Sequence, residues 1–158
     1  AMDRFRRDKL TCIICGTGPV KDRLEQQIKE MYLQDKVILA GYCTNIPDIL
    51  RQSDLFAFPS MREGLPVALM EAMQAGLPVM AADIRGNHDL IRDGEGGFLF
   101  NENLPEDYAQ AIRYFLKYPD EAARMGKWNR KQVDNFSLGV VEKRMREIYH
   151  AAEAMEGA

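Results

Sequence analysis

No apolar run in this chain approaches the roughly 18 consecutive residues that a membrane-spanning helix needs. The start lacks the charged-then-apolar order of a secretory leader, and Ala1-Met2 reads as an expression scar. Cysteine is scarce: 3 in 158 residues cannot build a disulfide framework, so a reducing cytoplasm is the expected setting. Cys12 and Cys15 form a C-x-x-C, but no second pair supplies the remaining ligands of a metal site. On a strand their odd offset also turns the two side chains to opposite faces, so no metal is expected. A large excess of one charge is missing too. At a net charge of −3 the chain presents no overall field for nucleic acid, and membrane contact is expected to be peripheral at most. The basic stretch of Arg4, Arg6, Arg7 and Lys9 is short and reads as a solvated lead-in.

Short apolar runs alternate with helical patterns along the rest of the sequence. Leu10–Cys15, Val37–Ala40, Leu55–Phe58, Val79–Ala82 and Gly97–Phe100 read as strands. Helices are expected over Lys21–Leu33, Ile46–Gln52 (with Asn45 as N-cap), Pro66–Ala75 and Asn87–Ile91. Three more are expected to close the chain, over Pro105–Lys117, Asp120–Phe136 and Leu138 to about Ala154. The alternation predicts an α/β fold, Rossmann-like, with a parallel sheet of about five strands between two helical layers. Ligands of such sheets bind beyond the carboxyl ends of the strands.

The residues that carry chemistry fall in those loops. From Leu65 to Ala82 the only charged residue is Glu71, on a helix apolar around nearly its whole circumference. Such a helix is expected to be buried. A carboxylate on it then needs donors, either from a structural ion pair or from a ligand hydroxyl. Pro66 fits the first helical position, which makes Leu65 the N-cap. Leucine has no acceptor to offer, so the first-turn N–H groups are left to water or to an anion. A phosphate on those groups and a polyol on Glu63 and Glu71 would account for both features with one ligand, a sugar nucleotide.

Glu63-Gly-Leu-Pro-Val-Ala-Leu-Met-Glu71 resembles the E-x7-E motif of the retaining GT-B glycosyltransferases of family 4. Gly16-Thr-Gly-Pro19 looks like the family's G-x-G-P turn, and Ser53–Ser60 like its strand leading into the motif. Ala75-Gly-Leu-Pro-Val79 resembles the A-x-G-x-P-V segment, Arg85–Ile91 the G-G-x-x-E loop, and Asp93–Leu99 the strand entry after it. The likeness covers about Leu10 to Tyr149. It implies the C-terminal, donor-binding half of a GT-B fold, which takes a UDP- or GDP-sugar as substrate and needs no cofactor. In it the position of Glu63 contacts hydroxyls of the transferred sugar and is the catalytic candidate. The position of Glu71 accepts from the ribose, and the backbone around Gly64, Leu65, Pro66 and Val67 surrounds the diphosphate with its N–H groups, Pro66 itself having none. The turn of Gly16, Thr17 and Gly18 approaches the phosphates or sugar, and Tyr42 lies where a base could stack.

The sequence also departs from the family. Nothing before Leu10 matches the strand, helix and basic diphosphate loop that usually open this half, and no acceptor-binding N-terminal domain is present. His88 and His150 do not match the histidine of that domain; His88 is expected to be structural or to face solvent. Asp89 stands where the family often has glutamate. The expected organisation is a lead-in over residues 1–9, a nucleotide-sugar domain over 10–136, and a final helix over 137–158. That helix carries an apolar stripe of Val141, Met145 and Ile148, suited to a missing N-terminal domain or to ordinary core. The implied partners are a nucleoside-diphosphate sugar and an acceptor sugar or glycolipid, as in surface polysaccharide synthesis. One alternative is a nucleotide-binding module inactive on its own. A dinucleotide-binding Rossmann domain fits less well, because Lys21 takes the third glycine position of its fingerprint.

Overall fold

A computed structural model describes residues 1–156 of the chain, with side chains through residue 153. The α/β alternation is present, and every strand pair is parallel. The strands are β1 (Cys12–Cys15), β2 (Val37–Gly41), β3 (Phe56–Phe58), β4 (Val79–Ala82) and β5 (Gly97–Phe100). Between and after them run α1 (Lys21–Glu30), α2 (Ile46–Arg51), α3 (Val67–Gln74), α4 (Arg85–His88), α5 (Pro105–Lys117), α6 (Pro119–Val133) and α7 (Leu138–Glu156). Residues 157 and 158, assigned above to the last segment, lie outside the described residues.

The strands divide into a pair, β1-β2, and a triplet, β3-β4-β5. The triplet is the centre of the molecule. Val79, Met80, Ala81 and Ala82 of β4 are all at most 2% exposed, because helices cover both faces of a strand flanked on both edges. On one face Met80 joins Tyr108, Ala109, Ile112, Phe115 and Met125. On the other, Val79 and Ala81 join Leu69, Met73, Leu90, Ile91 and Val133. The pair is different. Leu10–Cys15 was expected to form a buried strand, yet Ile13 and Ile14 are 48% and 38% exposed. The cause is missing cover: β1 pairs only with β2, and α1 buries no residue.

The opening stretch is part of the packing. Met2–Phe5 forms a 3-10 turn, and Phe5, 2% exposed, enters the cluster of α5 and α6. Two helix ends follow local rules. At the end of α3, Gly76 adopts φ +78°, and the N–H groups of Gly76 and Leu77 donate to the carbonyls of Met73 and Ala72. Asn45 was expected to cap α2 but makes no side-chain cap bond there. The stripe of α7 is not core in this chain: Val141, Met145 and Ile148 are 45%, 41% and 60% exposed.

Candidate functional site

Because the strands are parallel within each sheet, the loops after β1 and β2 leave from one end of the pair, and those after β3 and β4 from one end of the triplet. Two groups of predicted site residues form there. In the first, the Gly16–Pro19 turn meets the loop after β2: the Gly16 N–H donates to the Gly41 carbonyl at 2.6 Å. Gly16 sits at φ +133° and Gly41 at φ +68°, the left-handed region that glycine enters without strain. Both turns are open, since a Cβ on Gly16, Gly18 or Gly41 would meet nothing within 4 Å. Tyr42 projects from this loop, 80% exposed.

The second group is built on α3. The helix begins at Val67, one residue later than expected, which makes Pro66 the N-cap in place of Leu65. No side chain caps it, and Gly64, Leu65 and Val67 are exposed. The first turn therefore opens to solvent with the helix dipole behind it, the arrangement that suits an anion. Glu63 is half-buried beside it, and its Oε1 accepts from the Ser60 hydroxyl at 2.6 Å. The Arg85–Gly86 turn closes the far side. A Cβ on Gly86 would stand 2.5 Å from the Gly64 oxygen and 2.8 Å from that of Glu63, so only glycine lets the two backbones meet.

Glu71 requires a correction. Its helix is not buried all round: Leu69, Ala72 and Met73 face the core, while Val67, Ala68, Glu71 and Gln74 are exposed. The carboxylate stands in water one turn below Val67, so no desolvation argument applies to it. The apolar sequence misled because Val67 and Ala68 are spent on an open surface. His88 does face solvent, at 59% exposure, and its Nε2 contacts the Asp83 carboxylate.

Sequence reasoning missed one feature. Cys43, in the Tyr42 loop, lies against Cys15 at the end of β1. Partial desolvation raises the largely exposed Cys15 thiol above its usual range, and the neighbouring Cys43 adds to the rise. The signal was present in the parallel pairing that sets Cys15 opposite Gly41, two residues before Cys43. Among the described residues no three His, Cys, Asp or Glu side chains gather as a metal site, and no helix is long and apolar enough to cross a membrane.

Fold and site together define a parallel α/β, Rossmann-like unit with glycine turns and an uncapped helix at its strand ends. The chain belongs to the family described as Glycosyl transferases group 1, which it matches over residues 1–132. It is 29% identical to the putative glycosyltransferase EpsD of Bacillus subtilis over 93% of this chain and 39% of that protein. With the putative colanic acid biosynthesis glycosyltransferase WcaL of Salmonella typhimurium it shares 34% identity, over 85% of this chain and 31% of the relative. A structure of Staphylococcus aureus TarM with Fondaparinux, alpha-GlcNAc-glycerol and UDP superposes with TM-score 0.83 at 28% identity, over 92% of this chain and 30% of that one. Anabaena HepE shares the fold at TM-score 0.84 and 24% identity, over 91% and 42% of the two chains. The chain thus spans well under half the length of these relatives, and the fold is that of GT-B glycosyltransferases.

Proposed function

We propose that this chain is the donor-binding half of a retaining glycosyltransferase of family 4 and binds a nucleoside-diphosphate sugar beyond its strand ends. The observation that carries the reading is the α3 terminus: an uncapped, exposed first turn with Glu63 held beside it by Ser60. The diphosphate lies on the N–H groups around Gly64 to Val67, with the glycine turn of Gly16 to Gly18 as a second backbone contact. Glu63 accepts from hydroxyls of the sugar, Glu71 from those of the ribose, and the base stacks on Tyr42.

These contacts favour departure of the diphosphate, since preorganised N–H donors stabilise the charge that develops on it. Transfer itself needs an acceptor held in register, and positioning supplies much of the rate. An N-terminal domain would carry the acceptor sugar or glycolipid and cover the α7 stripe, at the inner face of the membrane. This chain alone therefore binds donor without transferring it. Uridine is the first base to test, because the TarM structure holds UDP and an Escherichia coli relative, 35% identical, is a UDP-Gal-dependent galactosyltransferase.

Calorimetric titration with UDP, GDP and ADP, on the chain and on Glu71→Ala, tests the reading. UDP should bind, and the variant should bind roughly tenfold more weakly, the effect of one lost charge-assisted hydrogen bond. The variant should melt where the parent does, because Glu71 is exposed. Failure of all three nucleotides to bind the folded chain would sink the proposal.

A further inference from the structure

We propose that Cys15 and Cys43 are a redox pair that closes into an intramolecular disulfide and ties the glycine turn to the Tyr42 loop. Three features of the backbone bring the thiols together. Cys15 stands opposite Gly41 across the β1-β2 pair, where the register shifts by one residue. The next residue, Gly16, donates to the Gly41 carbonyl at 2.6 Å, which fixes the two loops against each other. At Gly41 the chain turns through φ +68°, and the Cys43 thiol folds back to 3.5 Å from the Gly41 oxygen. The turn thus returns Cys43 toward the strand end that carries Cys15.

Cys15 is exposed and Cys43 half-buried, so an oxidant in solution meets Cys15 first. With oxidised glutathione as the oxidant, Cys15 loses its proton and attacks one sulfur. A Cys15–glutathione disulfide forms and one glutathione thiolate leaves. Cys43, deprotonated in turn, attacks the Cys15 sulfur, and the second glutathione departs. Two electrons pass to the reagent, which ends as two thiols, and the chain loses two hydrogens. Cys12 takes no part, because it lies three residues back on the strand and its side chain points to the other face.

The bridge itself is independent of the donor reading; its consequence for nucleotide binding rests on that reading. The phosphates and base are proposed to lie against these two loops, and a covalent tie fixes the opening between them.

The reduced chain is treated with oxidised glutathione, and its intact mass and peptide map are measured. A loss of two hydrogens with a Cys15–Cys43 peptide is expected, and dithiothreitol should reverse it. Cys12→Ser should behave as the parent, while Cys43→Ser should stop at a stable glutathione adduct on Cys15. A lasting adduct on the parent chain, or a bridge that includes Cys12, would overturn the pair. UDP titration of both forms then tests the consequence: affinity should fall about tenfold on oxidation and recover on reduction. Equal affinity in the two forms would overturn the coupling. A reduced chain that binds no UDP would instead count against the donor reading, while the peptide map still decides the bridge.

Discussion

Asn129 shows what a single polar side chain does in a buried place. It is fully buried on α6, and its amide donates to the carbonyls of Leu77 at 2.7 Å and Gly96 at 2.6 Å, which joins the helix to the segments that lead into β4 and β5. Asn129→Ala should destabilise the chain by about 2–3 kcal/mol in urea unfolding, because the Leu77 carbonyl is left buried without that donor. Tyr108 makes a pH prediction. Burial and the charge of Asp107 push its phenol from 10.0 to about 12, and its O–H donates to Asn103. In the unfolded chain the phenol ionises near 10, so between pH 10 and 12 the folded state holds more protons and loses stability as pH rises. The contribution is intact below pH 10 and amounts to roughly 3 kcal/mol at most. In Tyr108→Phe this part of the slope should vanish from the pH dependence of unfolding. Neither residue was legible beforehand. Asn129 and Tyr108 look like ordinary helix positions until α6 and α5 are laid on the sheet. Glu63 was legible as a candidate because motif and loop position agree.

At the scale of elements, helix and strand order followed the sequence closely, since apolar spacing within a segment reports its own periodicity. What did not follow was cover. Periodicity says that Leu10–Cys15 forms a strand, but burial depends on which elements lie against it. For β1 those are few. The packing of α3 against α6 has a similar origin: Gly126 on α6 is where the chain end of α3 passes. A Cβ there would stand 1.9 Å from the Gly76 oxygen, backbone that cannot swing aside. Alanine would gain about 1 kcal/mol of helix propensity. The overlap forces the elements apart at a cost of roughly 1–3 kcal/mol or more, which outweighs that gain. Gly126→Ala should therefore lower the urea midpoint. Gly139→Ala, on α7 with nothing within 4 Å, should leave it unchanged or raise it. Equal behaviour of the two variants would show that the α3–α6 contact is looser than its geometry implies.

Across the whole molecule, burial is uneven in a way that bears on binding. Between Thr11 and Asn45, which include β1, α1 and β2, only Leu33 and Val37 are buried, whereas all of β4 is. Regions with few buried apolar contacts open locally at a free energy below that of global unfolding. The β1-β2 pair should therefore exchange its amide hydrogens through an opening that leaves β3, β4 and β5 protected. The two regions should separate in native-state exchange at low denaturant and merge only near the midpoint. The Gly16 turn and the Tyr42 loop both belong to the weaker region, whereas the α3 terminus stands on the stronger one. A ligand that bridges them must order the first against the second, and the free energy of that ordering is subtracted from its affinity. UDP should thus slow exchange in β1 and β2 more than in β4. The closing of Cys15 to Cys43 should slow it there without ligand, because both ends of the bridge lie within the same weak unit. Uniform protection of all the strands in the free chain would show that the pair is held as firmly as the triplet, and the proposed donor site would then be preformed rather than assembled on binding.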